Sequence, residues 1–153
     1  MAGWIDGTYV VNAIGQIQAY RLGLVSTQSG AFTDTAALTQ YEAGARGIVA
    51  SVLVFAGYSP PSTLTGTEDC AGLLQRILFA VMIREVYLLR PGIAMPNTTA
   101  AAIGIAQSDL ESIKTKSLPV PGLTPSAIGA VGGVQFSPAQ AFQPFRGLWG
   151  TNF

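Results

Sequence analysis

Residues Glu68–Arg90, EDCAGLLQRILFAVMIREVYLLR, decide the reading of this chain. The run is long enough for six helical turns at 3.6 residues per turn. Thr67 is a candidate cap, Glu68 and Asp69 place negative charge at the positive end of the helix dipole, and Pro91-Gly92 ends the run. On a helical wheel Leu74, Ile77, Leu78, Val81, Leu88 and Leu89 cover one side, and Phe79, Met82 and Val86 widen it. Arg76, Arg84, Tyr87 and Arg90 leave only a polar strip. A helix apolar around most of its circumference is a central helix packed on several sides. Glu85 falls among the leucines. A buried carboxylate needs a partner, so Glu85 is expected to pair with Arg46, with Arg84 of a neighbouring subunit, or with backbone donors.

Outward from this helix, the chain reads as mainly α, a bundle of about four helices followed by an extended C-terminal arm. Tyr9–Tyr20 carries Val10, Ala13, Ile14 and Ile17 at helical spacing, interrupted by Gly15. Before it, Trp4 and Ile5 are expected to pack on a neighbouring surface. Gly23–Thr33 is a loop. Thr35–Ala56 forms a second helix, with Asp34 as its cap and Leu38, Tyr41, Ala45, Ile48, Val49, Val52 and Phe55 as its core stripe. Glu42 and Arg46, four apart, read as a solvated surface pair. The connection GYSPPSTLTG (57–66) is expected to let the two long helices pack antiparallel. A further helix, Thr98–Lys116, capped by Asn97, carries Ile103, Ala106, Leu110 and Ile113 in a narrow seam. The domain division is therefore 1–117, the helical body, and 118–153, the arm.

Composition narrows the function. Of the 153 residues 10% are charged and 49% hydrophobic, and the net charge is zero. An ordinary soluble domain carries roughly 25% charged residues. With a mean hydropathy of +0.41, part of this surface must be covered by other protein or by lipid. A membrane-associated helical protein is the competing class. However, 47–57 is too short to cross roughly 30 Å of hydrocarbon, and Gln75, Arg76, Arg84 and Glu85 interrupt the central helix. Burial against protein is the preferred reading, with no membrane partner. There is no basic cluster to bind nucleic acid. There is no histidine, and the single Cys70 reads as a small buried hydrophobe. No metal-ligand spacing, nucleophile elbow or phosphate loop occurs. No catalytic site, cofactor or metal is expected, and the protein does not read as an enzyme. No secretory leader is expected at the N-terminus, so the sequon at Asn97-Thr98-Thr99 is discounted.

The last 37 residues change character. After Lys116 the only charge is Arg146, and prolines alternate with glycines. This is too apolar for an ordinary disordered tail and too irregular for a core of its own. It reads as an arm that lies along another molecule, anchored by Phe136, Phe142, Phe145, Trp149 and Phe153, with Arg146 as the polar contact. The competing reading folds the arm back onto its own helices.

The order of these features resembles the small helical head–tail adaptor (head completion) proteins of tailed bacteriophages, the Mu-type branch in particular. The resemblance spans roughly Tyr9 to Trp149. It rests on the helix ending near GYSPP, on LLQRILFAVMIREVYLLRPG (73–92), and on the tail VQFSPAQAFQPFRGLWG (134–150). Leu74, Arg76, Ile83, Arg84, Tyr87, Leu88, Arg90 and Pro91 stand where that family often reads LxRxxxxxARYxLxxRRP. Ser137-Pro138 and Phe145-Arg146-Gly147 are similar to its tail motif. The chain departs from the family in its low charge and its alanine-rich fourth helix. The resemblance implies a structural virion protein at the head–tail interface, made in the host cytoplasm. It also implies a homo-oligomeric ring, usually dodecameric, that joins the portal protein to the tail or to a stopper or terminator protein. DNA would pass through the ring without sequence-specific binding. Another small virion component, such as a tail-completion or decoration protein, is the near alternative.

Overall fold

A computed structural model of the protein describes residues 3–124. Among them the architecture is a bundle of five helices with no strands, because the first expected helix is split in two. α1 (Gly7–Ile14) starts where the Asp6 side chain accepts from the Tyr9 N–H at 2.8 Å. It ends at Gly15, whose φ of +82° suits a residue without a Cβ. α2 (Gln16–Arg21) follows at once. The break resets the helical phase, so Ala19 is buried while Ile17, expected in the core, is 60% exposed.

α3 (Ala36–Ala56) is capped by Thr35, whose hydroxyl accepts from the Leu38 N–H at 3.2 Å. Asp34, the expected cap, instead accepts from the Gly7 N–H at 3.0 Å and ties α1 to the start of α3. α3 ends in a left-handed Gly57, with Tyr58 N–H donating to the Leu53 carbonyl and Gly57 N–H to that of Val54. This pairs two of the carbonyls that a helix end leaves free. The buried face of α3 is Leu38, Glu42, Ala45, Val49, Leu53 and Ala56. The expected stripe is therefore rotated: Ile48 and Phe55 point outward, 46% and 70% exposed.

α4 (Ala71–Leu88) is the central helix. It packs on both α3 and α5 and buries Leu74, Ile77, Leu78, Met82, Ile83 and Val86. Fully burying a side chain of this size contributes about 1.5–3 kcal/mol. The helix starts later than expected because Glu68 turns back to accept from the Thr65 and Gly66 N–H groups. Tyr87, placed in the polar strip by the sequence, is buried, and its hydroxyl accepts from Gln18 Nε2 at 2.7 Å. Leu88 and Leu89, expected inside, are exposed at the end of the helix.

In the connection from α3 to α4, Leu64, Thr65 and Gly66 line the same cleft as Leu38 and Glu42. Trp4 bridges Glu42 and Gln75, and Ile48 lines a cleft with Val81 and Glu85. The start of α3 lies near the end of α4, because Gly23, whose carbonyl accepts from the Thr35 hydroxyl at 2.7 Å, is against the Arg90 guanidinium. α5 (Asn97–Lys114), preceded by Pro96 and not capped by Asn97, returns antiparallel to α4. Arg76 pairs with Asp109 at 2.7 Å, while Tyr87 lies near Ile103. Beyond α5, Val120 is buried in the core, with Leu118 and Leu123 packed against it. The first residues assigned to the arm thus belong to the helical body.

Candidate functional site

The clearest functional features are an unusual buried carboxylate and a set of uncovered apolar side chains. The carboxylate is Glu42, not Glu85. Glu42 is 3% exposed, and its Oε1 accepts from the Trp4 N–H at 2.8 Å. Arg46 Nε lies 3.9 Å away, one turn along α3, with its side chain 27% exposed. Gln75 Nε2, from α4, donates to the Trp4 carbonyl at 2.8 Å. The lead-in segment is therefore held at the Trp4 N–H and carbonyl, and Trp4 is itself buried in the core. Its indole N–H has no partner among the described residues. These groups wall a cleft of about 870 Å³ between the lead-in, α3 and the Leu64–Gly66 turn. On one side it carries Tyr9, whose ring meets Phe79 at 5.8 Å. Burial pushes the Tyr9 phenol up, and the nearby Arg76 charge partly offsets this.

Glu85 and Arg84 are both exposed. The expected burial of Glu85 fails because α4 turns its Leu74–Ile77–Leu78–Ile83–Val86 face to the core, leaving Glu85 on the rim. Neither residue forms an ion pair among the described residues. Both line a small cleft with Ile48, Val81, Gln107, Leu110 and Glu111. Arg84 and Gln107 also belong to an adjoining apolar groove between the end of α4 and the start of α5, with Tyr87, Leu88, Ile93, Met95 and Ile103. The proposed anchors Phe136, Phe142, Phe145, Arg146, Trp149 and Phe153 lie outside the described residues.

The uncovered side chains are large. Val54 and Phe55 at the end of α3, Leu88 and Leu89 at the end of α4, Ile17 on α2 and Ile105 on α5 are each about 60–70% exposed. Around them the polar inventory gives little chemistry. Glu68 is solvent-facing, and its carboxyl is lowered to about 2, chiefly by the Thr65 backbone N–H, with further donors at the Thr65 hydroxyl and the Gly66 N–H. The Cys70 thiol is buried, and burial pushes its pKa up. No group of three or more Cys, Asp or Glu among the described residues is placed to hold a metal. No helix among them is long and apolar enough to cross a membrane.

Sequence reasoning missed Glu42 although a signal was present. Leu38, Glu42, Ala45, Val49, Leu53 and Ala56 follow a regular four-three-four-four-three spacing, and hydrophobicity alone favoured the competing phase through Tyr41, Ile48 and Phe55. Comparisons of the chain with family models, with curated proteins and with solved structures return no match.

Proposed function

We propose that this protein is a connector subunit of a tailed-phage virion, forming a ring beneath the portal that joins the DNA-filled head to the tail. The observation that carries this reading is the outward display of Ile17, Val54, Phe55, Leu88, Leu89 and Ile105 on a chain with so few charges. Large apolar side chains left uncovered at the ends of α3 and α4 suit burial against other protein, and in a closed ring each subunit is covered on two sides by its neighbours. The sequence similarity around α4 and in the tail gives the reading its location in the particle. Glu85 and Arg84, exposed and unpaired within the described subunit, are then candidates for charge pairs across the subunit boundary. The ring's partners are the portal on one side and the tail, or a stopper protein, on the other. Phe142, Phe145 and Trp149 of the arm supply the docking contact, with Arg146 paired to a carboxylate or carbonyl. With eight basic and eight acidic residues, such a ring holds duplex DNA only weakly and in a strongly salt-sensitive way.

Deletion of 141–153 tests this directly. The expected outcome is a folded helical body, DNA-filled capsids and no attached tails. A truncated protein that still joins filled heads to tails would move the docking contact from the arm to the helical body. Recovery of the full chain only in detergent-extracted membranes, never with particles, would overturn the connector reading itself.

A further inference from the structure

Before assembly, a subunit with this surface and an apolar arm faces an aggregation problem. We infer that the groove between the end of α4 and the start of α5 is the seat of the chain's own arm, residues 142–149, in the free subunit. The groove supplies an apolar floor from Tyr87, Ile93, Met95 and Ile103, with exposed Leu88 on its lip. It opens at Arg84 and Gln107 into the cleft that holds Glu85 and Glu111. Glu111 is engaged by Lys114 at 3.5 Å, whereas Glu85 has no cation partner among the described residues. The arm carries the complementary set: Phe142, Phe145 and Trp149 for the floor, and Arg146, the only charge after Lys116, for Glu85. The exposed Arg84 guanidinium at the junction suits the face of an aromatic ring.

Chain length favours the subunit's own arm over a neighbour's. The body ends beside the start of α4, where Gly122 lies against Asp69. From there to the groove at Arg84–Leu88 is about 25 Å along α4 at 1.5 Å per residue. The stretch from Thr124 to Phe142, about 18 residues, has a contour length of roughly 60 Å. As a glycine-containing chain its r.m.s. span is about 23 Å. A linker whose r.m.s. length matches the distance to be bridged gives the highest effective concentration. The self-seated arm covers the groove until a stronger site draws it away, so it acts as a stored docking element. The seating of the arm does not depend on the virion reading, whereas its release to a stronger site rests on it.

Disulfide trapping in the full chain tests it. In a Cys70→Ala background, Gln107→Cys on the groove is combined with Gly147→Cys in the arm, in dilute protein under mild oxidation. The comparison pair combines Thr39→Cys with Gly147→Cys. Thr39 is exposed in the opposite cleft beside Thr65 and Gly66, so it lies at least as close to the arm's exit. The expected result is an intramolecular bridge that forms at least about tenfold faster in the groove pair. Leu88→Asp, at a 64% exposed position and with its fold checked by circular dichroism, should bring that rate down to the comparison level. Equal rates in the two pairs, or a rate unmoved by Leu88→Asp, would overturn the inference. Bridges found only between chains would overturn it in favour of exchange between copies. Glu85→Lys should slow trapping, and Glu85→Gln should slow it less. A Glu85→Lys chain that traps as fast as the parent would remove Arg146 from the contact.

Discussion

Replacing Glu42 is the most informative perturbation of the helical body. Its carboxylate is buried, satisfies the buried Trp4 N–H at 2.8 Å, and lies 3.9 Å from Arg46 Nε. Glu42→Ala leaves the Trp4 N–H without an acceptor, which costs about 1–3 kcal/mol. It also removes the partner of Arg46, a half-solvated group, for which roughly 0–1 kcal/mol is appropriate. The sum is about 1–4 kcal/mol, and in a domain of this size it lowers Tm by roughly 2–16 °C. Glu42→Gln keeps an oxygen acceptor and nearly the same volume, so its cost should stay near about 1 kcal/mol. Urea unfolding of the full chain separates the two variants, and hydrogen exchange at the Trp4 amide reads the contact itself. The expected pattern is a large loss for alanine, a small one for glutamine, and lost Trp4 protection only in the alanine variant. If alanine and glutamine prove equally mild, with the Trp4 amide protected in both, the lead-in is not held by this carboxylate.

Other consequences follow from the same structure. Glu68 should titrate near pH 2, not near its ordinary 4.5, because the Thr65 and Gly66 N–H groups stabilise its charged form. Since its folded pKa is depressed, its contribution to stability is complete above about pH 4.5 and is lost as pH falls toward 2. A carboxyl resonance of Glu68 titrating at 4.5 would mean that the turn before α4 is not held by these bonds. Phe55→Ser, at a 70% exposed position, should change stability by less than about 0.5 kcal/mol yet weaken self-association, read by sedimentation velocity. Unchanged assembly would take the end of α3 out of the interface. Cys70, buried with its thiol raised, should react with a thiol reagent only as fast as the protein opens, and rapid labelling of the folded chain would contradict its packing.

The all-helical body was legible because α3, α4 and α5 each carry long apolar periodicity bounded by proline, glycine or threonine. The stops were read better than the faces. In α3 two apolar phases coexist, and tertiary packing chose the one that includes Glu42. The regular spacing through Glu42 allows that phase but does not rank it above its rival, since the Trp4 N–H that makes burial of the carboxylate tolerable comes from 38 residues away. Glu85 was misplaced for the mirror-image reason: its neighbours are leucines, but Leu88 and Leu89 are themselves exposed. A uniformly apolar helix gives no internal cue to which sector meets the core. The groove between α4 and α5 is built from residues far apart in sequence, and only the antiparallel return of α5 brings them together.

The central claim, a ring-forming connector beneath the portal, is tested most directly by a reconstruction of the portal vertex in virions that contain this protein. Helical density matching α1–α5 should appear as a ring between portal and tail, with Val54, Phe55 and Leu89 covered by neighbouring subunits and the DNA channel passing through its centre. A portal vertex resolved without this density, or the same density found on the capsid surface or at the distal tail, would contradict it.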